Sequence, residues 1–143
     1  MGYLIFAAIG YLLGSLPFGL IAGRMFKGVD IRDHGSGMTG MTNVLRTVGK
    51  PAAALVLFLD MIKGIFAVVF ARVFLDSPGV EATAALAAIV GHNWPVFVGF
   101  KGGRGVATGW GGLFILSPIS GLIATVIGAS TIATWRYVSL GSL

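Results

Sequence analysis

An all-α, polytopic integral membrane helix bundle with about five membrane segments and its N-terminus outside is the fold this sequence predicts. Three observations carry that reading. First, 56% of the 143 residues are hydrophobic and only 10% are charged, with a mean hydropathy of +0.93. A soluble domain covers itself with about a quarter charged residues, which this chain cannot supply. Second, the apolar residues fall in four long runs, one of them too long for a single crossing. Third, Lys and Arg gather in connections that a five-segment path places on one side. Residues 1–143 read as a single transmembrane domain.

The first segment runs from Tyr3 to about Met25. Its apolar run starts at once and continues past Gly14 without a small-residue cleavage site, so it reads as a membrane segment and not a signal peptide. Pro17 inside it predicts a kink or a wide approach between helices. The second segment, Pro51 to about Leu75, opens on a proline suited to a first helical turn. The third runs from Val80 to about Val98, with Pro95 near its end. The fourth run, Val106 to Trp135, exceeds the roughly 20 residues of one crossing. "SPISG", Ser117 to Gly121, breaks it into two antiparallel pieces. "GYLLG" (Gly10 to Gly14), "GLIAG" (Gly19 to Gly23) and "GVATG" (Gly105 to Gly109) carry the small-residue spacing that lets membrane helices approach closely.

The charge map orients this path. Arg24, Lys27, Asp30, Arg32, Asp33, Arg46 and Lys50 fall in the first connection, and Lys101 and Arg104 in the third. Arg72, Asp76 and Glu81 flank the second, the Ser117 turn has no charge, and Arg136 follows the last segment. An excess of Lys and Arg marks cytoplasmic loops, so the first and third loops and Arg136 are expected inside. Arg24 and Lys27 read as interface anchors.

Composition also excludes. Without Cys there is no disulfide, thiolate metal site or cysteine nucleophile. With only His34 and His92 and no carboxylate cluster, no metal site is predicted. The net charge of +5 would suggest nucleic acid in a soluble chain; here its distribution serves orientation, and no nucleic-acid partner is expected. "GSGMTG" formally matches GxGxxG, with Asp60 about twenty positions on, but a dinucleotide site needs a preceding buried strand. The preceding "VDIRDH" is polar, and Asp60 lies in a membrane segment. There is no GxxxxGK[ST] and no GxSxG, and no cofactor is expected.

Two polar, glycine-rich loops remain: "GSGMTGMTN", residues 35–43, and "GHNWPVFVGFKGGRGVAT", residues 91–108. Gly35, Gly37 and Gly40 would let backbone N–H groups converge on an anion. Ser36, Thr39, Thr42 and Asn43 can donate hydrogen bonds, with Arg32 before them and Arg46 after. Lys101 and Arg104 flank Gly102 and Gly103 directly before a helix start, which favours anions. Two phosphate cradles facing one compartment predict two phosphate-bearing substrates, or one ligand clamped twice. Glycine-rich turns also serve as plain connections, and basic loops as plain orientation signals. Asp60 and Lys63 lie three apart on one helix face, about 13 Å along the helix from Pro51 at 1.5 Å per residue. At that depth an ionisable group is costly. They read as a structural ion pair or as polar support reaching the loops. His92 and Asn93 close the third segment, and a lone His there hydrogen-bonds or packs more often than it binds metal. His34 could act as a base, but the spacing of Asp33, His34 and Ser36 does not make a triad.

"GSLPFGLIAGRMFKGVDIRDHGSGMTGMTNVLRTVGK", "DMIKG" at Asp60 to Gly64, "GHNWPVFVGFKGGRGVAT" and the final "RYVSLGSL" together resemble the bacterial acyl-phosphate-dependent glycerol-3-phosphate acyltransferases, the PlsY family. The resemblance spans Gly14 to Leu143. It implies a multi-pass enzyme of the bacterial inner membrane with cytoplasmic signature loops. Its substrates would be acyl phosphate and glycerol 3-phosphate beside membrane lipid, with no obligate protein partner. Transfer of the acyl group to the 1-hydroxyl would give lysophosphatidic acid and phosphate. The family's first-loop polar positions fall on Ser36, Thr42, Asn43 and Arg46, and its second-loop positions on His92, Asn93, Lys101, Gly102, Gly103 and Arg104. The resemblance thus implies catalytic roles for Ser36, Arg46, His92, Asn93 and Lys101. Lys101 and Arg104 would neutralise phosphate, assisted by the N–H groups of Gly102 and Gly103. His92 and Asn93 would shape or polarise the site. The family pattern has Asn at the position of Met38, a small residue at Met41, commonly Lys at Arg104, and a third signature region in further membrane sequence. A different lipid-phosphate transferase, a transporter or channel for an anionic solute, and an inactive structural paralogue stay open at this level.

Overall fold

The computed structural model describes the backbone of residues 1–135 and the side chains of residues 1–134; Arg136 and "RYVSLGSL" lie outside the described residues. Seven helices follow in order: α1 (Gly2–Gly14), α2 (Phe18–Lys27), α3 (Met41–Thr47), α4 (Lys50–Leu75), α5 (Pro78–Asn93), α6 (Val106–Leu116) and α7 (Pro118–Trp135). Short 3-10 turns occupy Ile31–Asp33 and Val96–Val98.

Prolines place most of the breaks. Pro17 interrupts the first apolar run, so α1 and α2 meet at a break over Ser15, Leu16 and Pro17. Trp94 and Ser117 each precede a proline and leave the helical region (φ −127, ψ 69 and φ −151, ψ 96), which ends α5 and α6. Pro51 and Pro78 sit in the first turns of α4 and α5, where a missing N–H costs nothing. Gly28 takes the left-handed conformation (φ 68) and closes α2 by donating its N–H to the Arg24 carbonyl at 3.0 Å.

The helices pack through small residues. A Cβ on Gly10 or Gly14 of α1 would strike the backbone of Ala84 or Ala88 of α5, so these two helices run side by side and parallel. Gly64 of α4 lies on the Thr108 backbone of α6, and Gly111 of α6 on Met61. Trp110 Nε1 donates to Thr125 Oγ1 at 2.9 Å, and Gly121 lies against Phe114, which fixes α6 and α7 antiparallel. The main core joins Phe6, Ala67, Ala71, Val80, Ala84 and Ala88. A second core of Ala22, Ile31, Val44, Ala52, Ala53 and Val56 binds α3 and the first loop to the ends of α2 and α4. Large apolar side chains face outward instead, Ile119 at 73% and Val73 at 72% exposure among them, as lipid permits and water does not.

The break near Pro17 and the split near Ser117 match the sequence reading. Two features differ. The segment Gly2–Lys27 and α4, each 26 residues, are long and apolar enough to cross a membrane, whereas α6 and α7 are shorter apolar helices. The expected loop before Lys50 contains α3, seven residues whose Asn43 and Val44 are buried. A helix that short leaves little periodic signal in the sequence.

Candidate active site between two glycine-rich loops

Asn43 organises the first loop. Its Nδ2 donates to the carbonyls of Ile31 (2.9 Å), Met38 (2.9 Å) and His34 (3.1 Å), and its Oδ1 accepts from the Ser36 N–H (3.0 Å). One buried amide thus partners four backbone groups of the loop. Gly35 turns in the left-handed region (φ 59) directly against Asn43 Oδ1, where a Cβ has no room.

The second loop is seated on His92. The Gly103 N–H donates to the His92 carbonyl at 3.1 Å, and a Cβ on Gly102 would strike that same carbonyl. A Cβ on Gly103 would strike His92 Nε2. Gly99 and Phe100 are both left-handed (φ 69 and 61), and this returns the Phe100 N–H to the Pro95 carbonyl at 2.9 Å. A left-handed non-glycine costs about 1–2 kcal/mol, so the turn before Lys101 is held under strain.

The two loops join. Thr39 N–H donates to the Gly102 carbonyl at 3.2 Å, and Arg32 Nη1 to the Val98 carbonyl at 3.0 Å. Arg32 is also bound to Asp30 through Nη2–Oδ2 (2.7 Å) and Nε–Oδ1 (3.0 Å). The hydrogen bonds from the Arg32 side chain hold the Asp30 carboxyl down at about 2. They likewise raise the Arg32 guanidinium above its ordinary value.

Two cavities open at this junction. The first, about 760 Å³, has a polar end at Ser36, Thr42, Arg46, Asp60, His92 and Arg104. It continues as an apolar trough along Trp110, Leu113, Ala124, Ile127, Gly128 and Ile132 of α6 and α7. The second, about 540 Å³, is lined by Ser36, Gly37, Asn93, Lys101, Gly102, Gly103 and Arg104. Ser36, Met38 and Arg104 border both. Among the described residues Arg46, Lys101 and Arg104 have no acidic partner. Such an arrangement attracts anions at its polar end and accommodates an alkyl chain at the other.

Most of the expected site residues therefore converge. Three details of the expectation change. Asn43 borders the first cavity, and its amide bonds Ile31, His34, Met38 and Ser36, so it also holds the loop in shape. The N–H groups of Ser36, Gly37, Thr39 and Gly103 are bonded within the protein, so a backbone cradle formed by them is not present in this arrangement. Arg32 is spent on Asp30 and Val98. Gly40 borders the first cavity, while Gly35 acts as the turn behind Asn43. Lys63 lies one step behind the wall, 2.8 Å from Asp60 Oδ1. His34 is exposed, and its Nδ1 lies 3.0 Å from the Asp30 carbonyl. Sequence reasoning missed the approach of Asp60 to His92 and the lining from α7. Neither leaves a local signal, because the partners are far apart in the chain.

The sequence profile described as glycerol-3-phosphate acyltransferase matches residues 4–143. The chain belongs to the glycerol-3-phosphate acyltransferase family. The family's curated members include the glycerol-3-phosphate acyltransferase of Parasynechococcus marenigrum, 49% identical over 140 residues that make up 98% of this chain and 66% of that relative. That of Halalkalibacterium halodurans is 51% identical over 135 residues, 93% of this chain and 66% of that one. The chain thus spans just under two thirds of the length of these relatives. Two crystal structures of PlsY (YgiH), described as an integral membrane glycerol 3-phosphate acyltransferase, superpose on it at 42% identity. The glycerol 3-phosphate form gives a TM-score of 0.91 over 99% of this chain and 71% of that one. The lysophosphatidic acid form gives 0.87 over 99% and 70%. The family's fold is thereby this chain's fold, an all-α, polytopic membrane helix bundle.

Proposed function

We propose that the protein transfers a fatty acyl group from acyl phosphate to the 1-hydroxyl of sn-glycerol 3-phosphate, giving lysophosphatidic acid and phosphate. The carrying observation is the first cavity, with Arg46 and Arg104, neither bound to an acid among the described residues, at one end and an apolar trough between α6 and α7 at the other. That shape suits an amphiphile with a phosphate head, and the second cavity beside Lys101 suits a small phosphorylated alcohol. A passage for a free anionic solute would not need the trough.

Acyl phosphate is an activated mixed anhydride, so catalysis reduces to orienting two substrates and stabilising the tetrahedral oxyanion. The 1-hydroxyl oxygen bonds to the acyl carbon, the bond from that carbon to the phosphate oxygen breaks, and a phosphate oxygen takes the hydroxyl proton. In this reading Lys101 and Arg104 neutralise phosphate, with Gly102 and Gly103 shaping the bed beside them. Ser36, Thr42 and Arg46 hold phosphate or the developing charge, while His92 and Asn93 shape and polarise the site. Asp60 and Lys63 give polar support from within the membrane. The reaction uses no cofactor, metal, nucleic acid or obligate protein partner.

The same reading makes residues 1–143 a single transmembrane domain of the bacterial inner membrane. It crosses five times, as α1 with α2, α4, α5, α6 and α7, with the N-terminus outside and both loops cytoplasmic. The alternating helix directions and the Lys and Arg of the two loops support it. The test is an assay of the protein in lipid with palmitoyl phosphate and glycerol 3-phosphate, following both products. Equal amounts of lysophosphatidic acid and phosphate are expected, with both falling together on Lys101→Ala. Product formed from palmitoyl coenzyme A without acyl phosphate would refute the donor, and a trapped acyl-Ser36 species would refute direct transfer.

A further inference from the structure

Asp60 and Lys63 are both buried, at 2% and 3% exposure, with Asp60 at the edge of the first cavity. Lys63 Nζ lies 2.8 Å from Asp60 Oδ1 and donates to the Leu16 carbonyl at 3.1 Å, beside the break made by Pro17. It also stands over the Phe18 ring, 5.6 Å from its centroid. An ion pair that only held helices together would be complete with these contacts. This one continues. Asp60 Oδ1 also lies 3.5 Å from His92 Nδ1, which is 3.3 Å from Thr108 Oγ1. The other ring nitrogen, Nε2, faces Gly103 and has no hydrogen bond among the described residues. Asn93 Oδ1 is the one fully buried side-chain oxygen or nitrogen among them without a partner, so Nε2 keeps access to the site. The line from α4 through His92 ends on the loop that carries Lys101 and Arg104.

We propose that Asp60 is a positioning residue that acts through His92. With Lys63 balancing its charge, the carboxylate accepts a hydrogen bond from the Nδ1–H of the neutral ring, which fixes the tautomer and the ring angle. The fixed ring lies against Gly103, while Gly102 and the Gly103 N–H rest on the His92 backbone carbonyl, so Asp60 sets where the Gly103–Arg104 stretch of the loop stands. Nε2 is left as an acceptor at the loop. This inference rests on the acyltransferase reading for its effect on turnover, but not for the state of the imidazole.

The experiment uses the full-length protein in lipid nanodiscs with ¹⁵N-labelled histidine, the His92 signals being those that vanish in His92→Gln. The wild type is expected to show a neutral His92 protonated on Nδ1; an Nε2-protonated tautomer would overturn the proposal without any variant. Asp60→Asn alone strands Lys63 without a counter-ion, so the paired Asp60→Asn/Lys63→Met variant is the informative one. It is expected to fold, to shift the His92 tautomer populations, and to lower kcat/KM on the order of 10–100-fold, chiefly through KM for glycerol 3-phosphate. Asp60→Glu should restore most of both. A folded paired variant with wild-type His92 signals and wild-type kcat/KM would reduce Asp60 to a structural ion pair. If the wild type makes no lysophosphatidic acid, the acyltransferase reading fails, while the His92 spectra still decide the positioning role.

Discussion

The two ends of the bundle use positive charge in opposite ways. At the Asp76 end, Arg72 gives Nε and Nη2 to Glu81 Oε2 (3.0 and 2.7 Å) and Nη2 to the Ile115 carbonyl (2.8 Å). One guanidinium there ties α4, α5 and α6 together, with its charge paired to Glu81. At the loop end, Arg46, Lys101 and Arg104 surround Ser36 without an acidic partner among the described residues. The nearby Asp30 is held by Arg32, with Arg24 at 3.7 Å. A committed charge holds helices; charges held apart from acids around a cavity make a place for an anion. Keeping like charges close together requires a rigid frame, which Asn43 and His92 supply.

Breaking that frame should give the largest effect. Asn43→Ala removes the Oδ1 bond and the two Nδ2 hydrogens that three carbonyls share, at about 0.5–1.5 kcal/mol per bond, and leaves buried backbone groups unpaired. Activity is expected to vanish, with fast hydrogen exchange over residues 31–43 and near-normal protection in α5. Uniform loss of protection would show that the loop and the bundle are not separable. Removing one charge is the next step down. Arg104→Ala or Lys101→Ala each loses a charge-assisted contact of about 1.5–3 kcal/mol, or about 10- to 150-fold in kcat/KM, with the melting temperature unchanged. A fall in stability instead would place these residues with Arg72. The converse variant, Arg72→Met, strands the buried Glu81 carboxylate and should lower the melting temperature, with KM unchanged. A changed KM would show that the two ends communicate.

The smallest effect concerns pH. Asp30 titrates at about 2 when folded against an ordinary 3.8, because Arg32 hydrogen-bonds its charged form. A depressed carboxyl stabilises the fold in full above its ordinary value, and the contribution is lost as pH falls from 3.8 towards 2. Loop protection should therefore be flat from pH 5 to 8 for Asp30. The difference between wild type and Asp30→Asn should disappear only in strong acid. A difference that faded near neutral pH would identify another group as the cause.

Pro17, Pro51, Pro95 and the Ser117–Pro118 step marked real breaks and starts, because a proline acts on its own backbone whatever surrounds it. That Lys101 and Arg104 lie in one glycine-rich loop was likewise legible, because they are three residues apart and flank Gly102 and Gly103. The loop-holding bonds of Asn43 were not legible, because they depend on where Ile31, His34 and Met38 lie in space. The trough along α6 and α7 was invisible, since an apolar side chain facing a cavity reads like one facing lipid.

By itself the sequence determined the membrane class, the order of the helical segments, their interruptions and the two polar loops. Each follows from local chemistry: the transfer of apolar side chains out of water, the missing N–H of proline, the cost of charge in lipid. Only the tertiary structure decided that Asp60 meets His92, that Thr39 meets Gly102, and that Arg46 and Arg104 share a cavity with α7. Those contacts depend on how each helix is rotated about its own axis. In a chain apolar on nearly every face, that rotation is set by backbone contacts such as Gly14 on Ala88 and Gly64 on Thr108, not by the hydrophobic pattern.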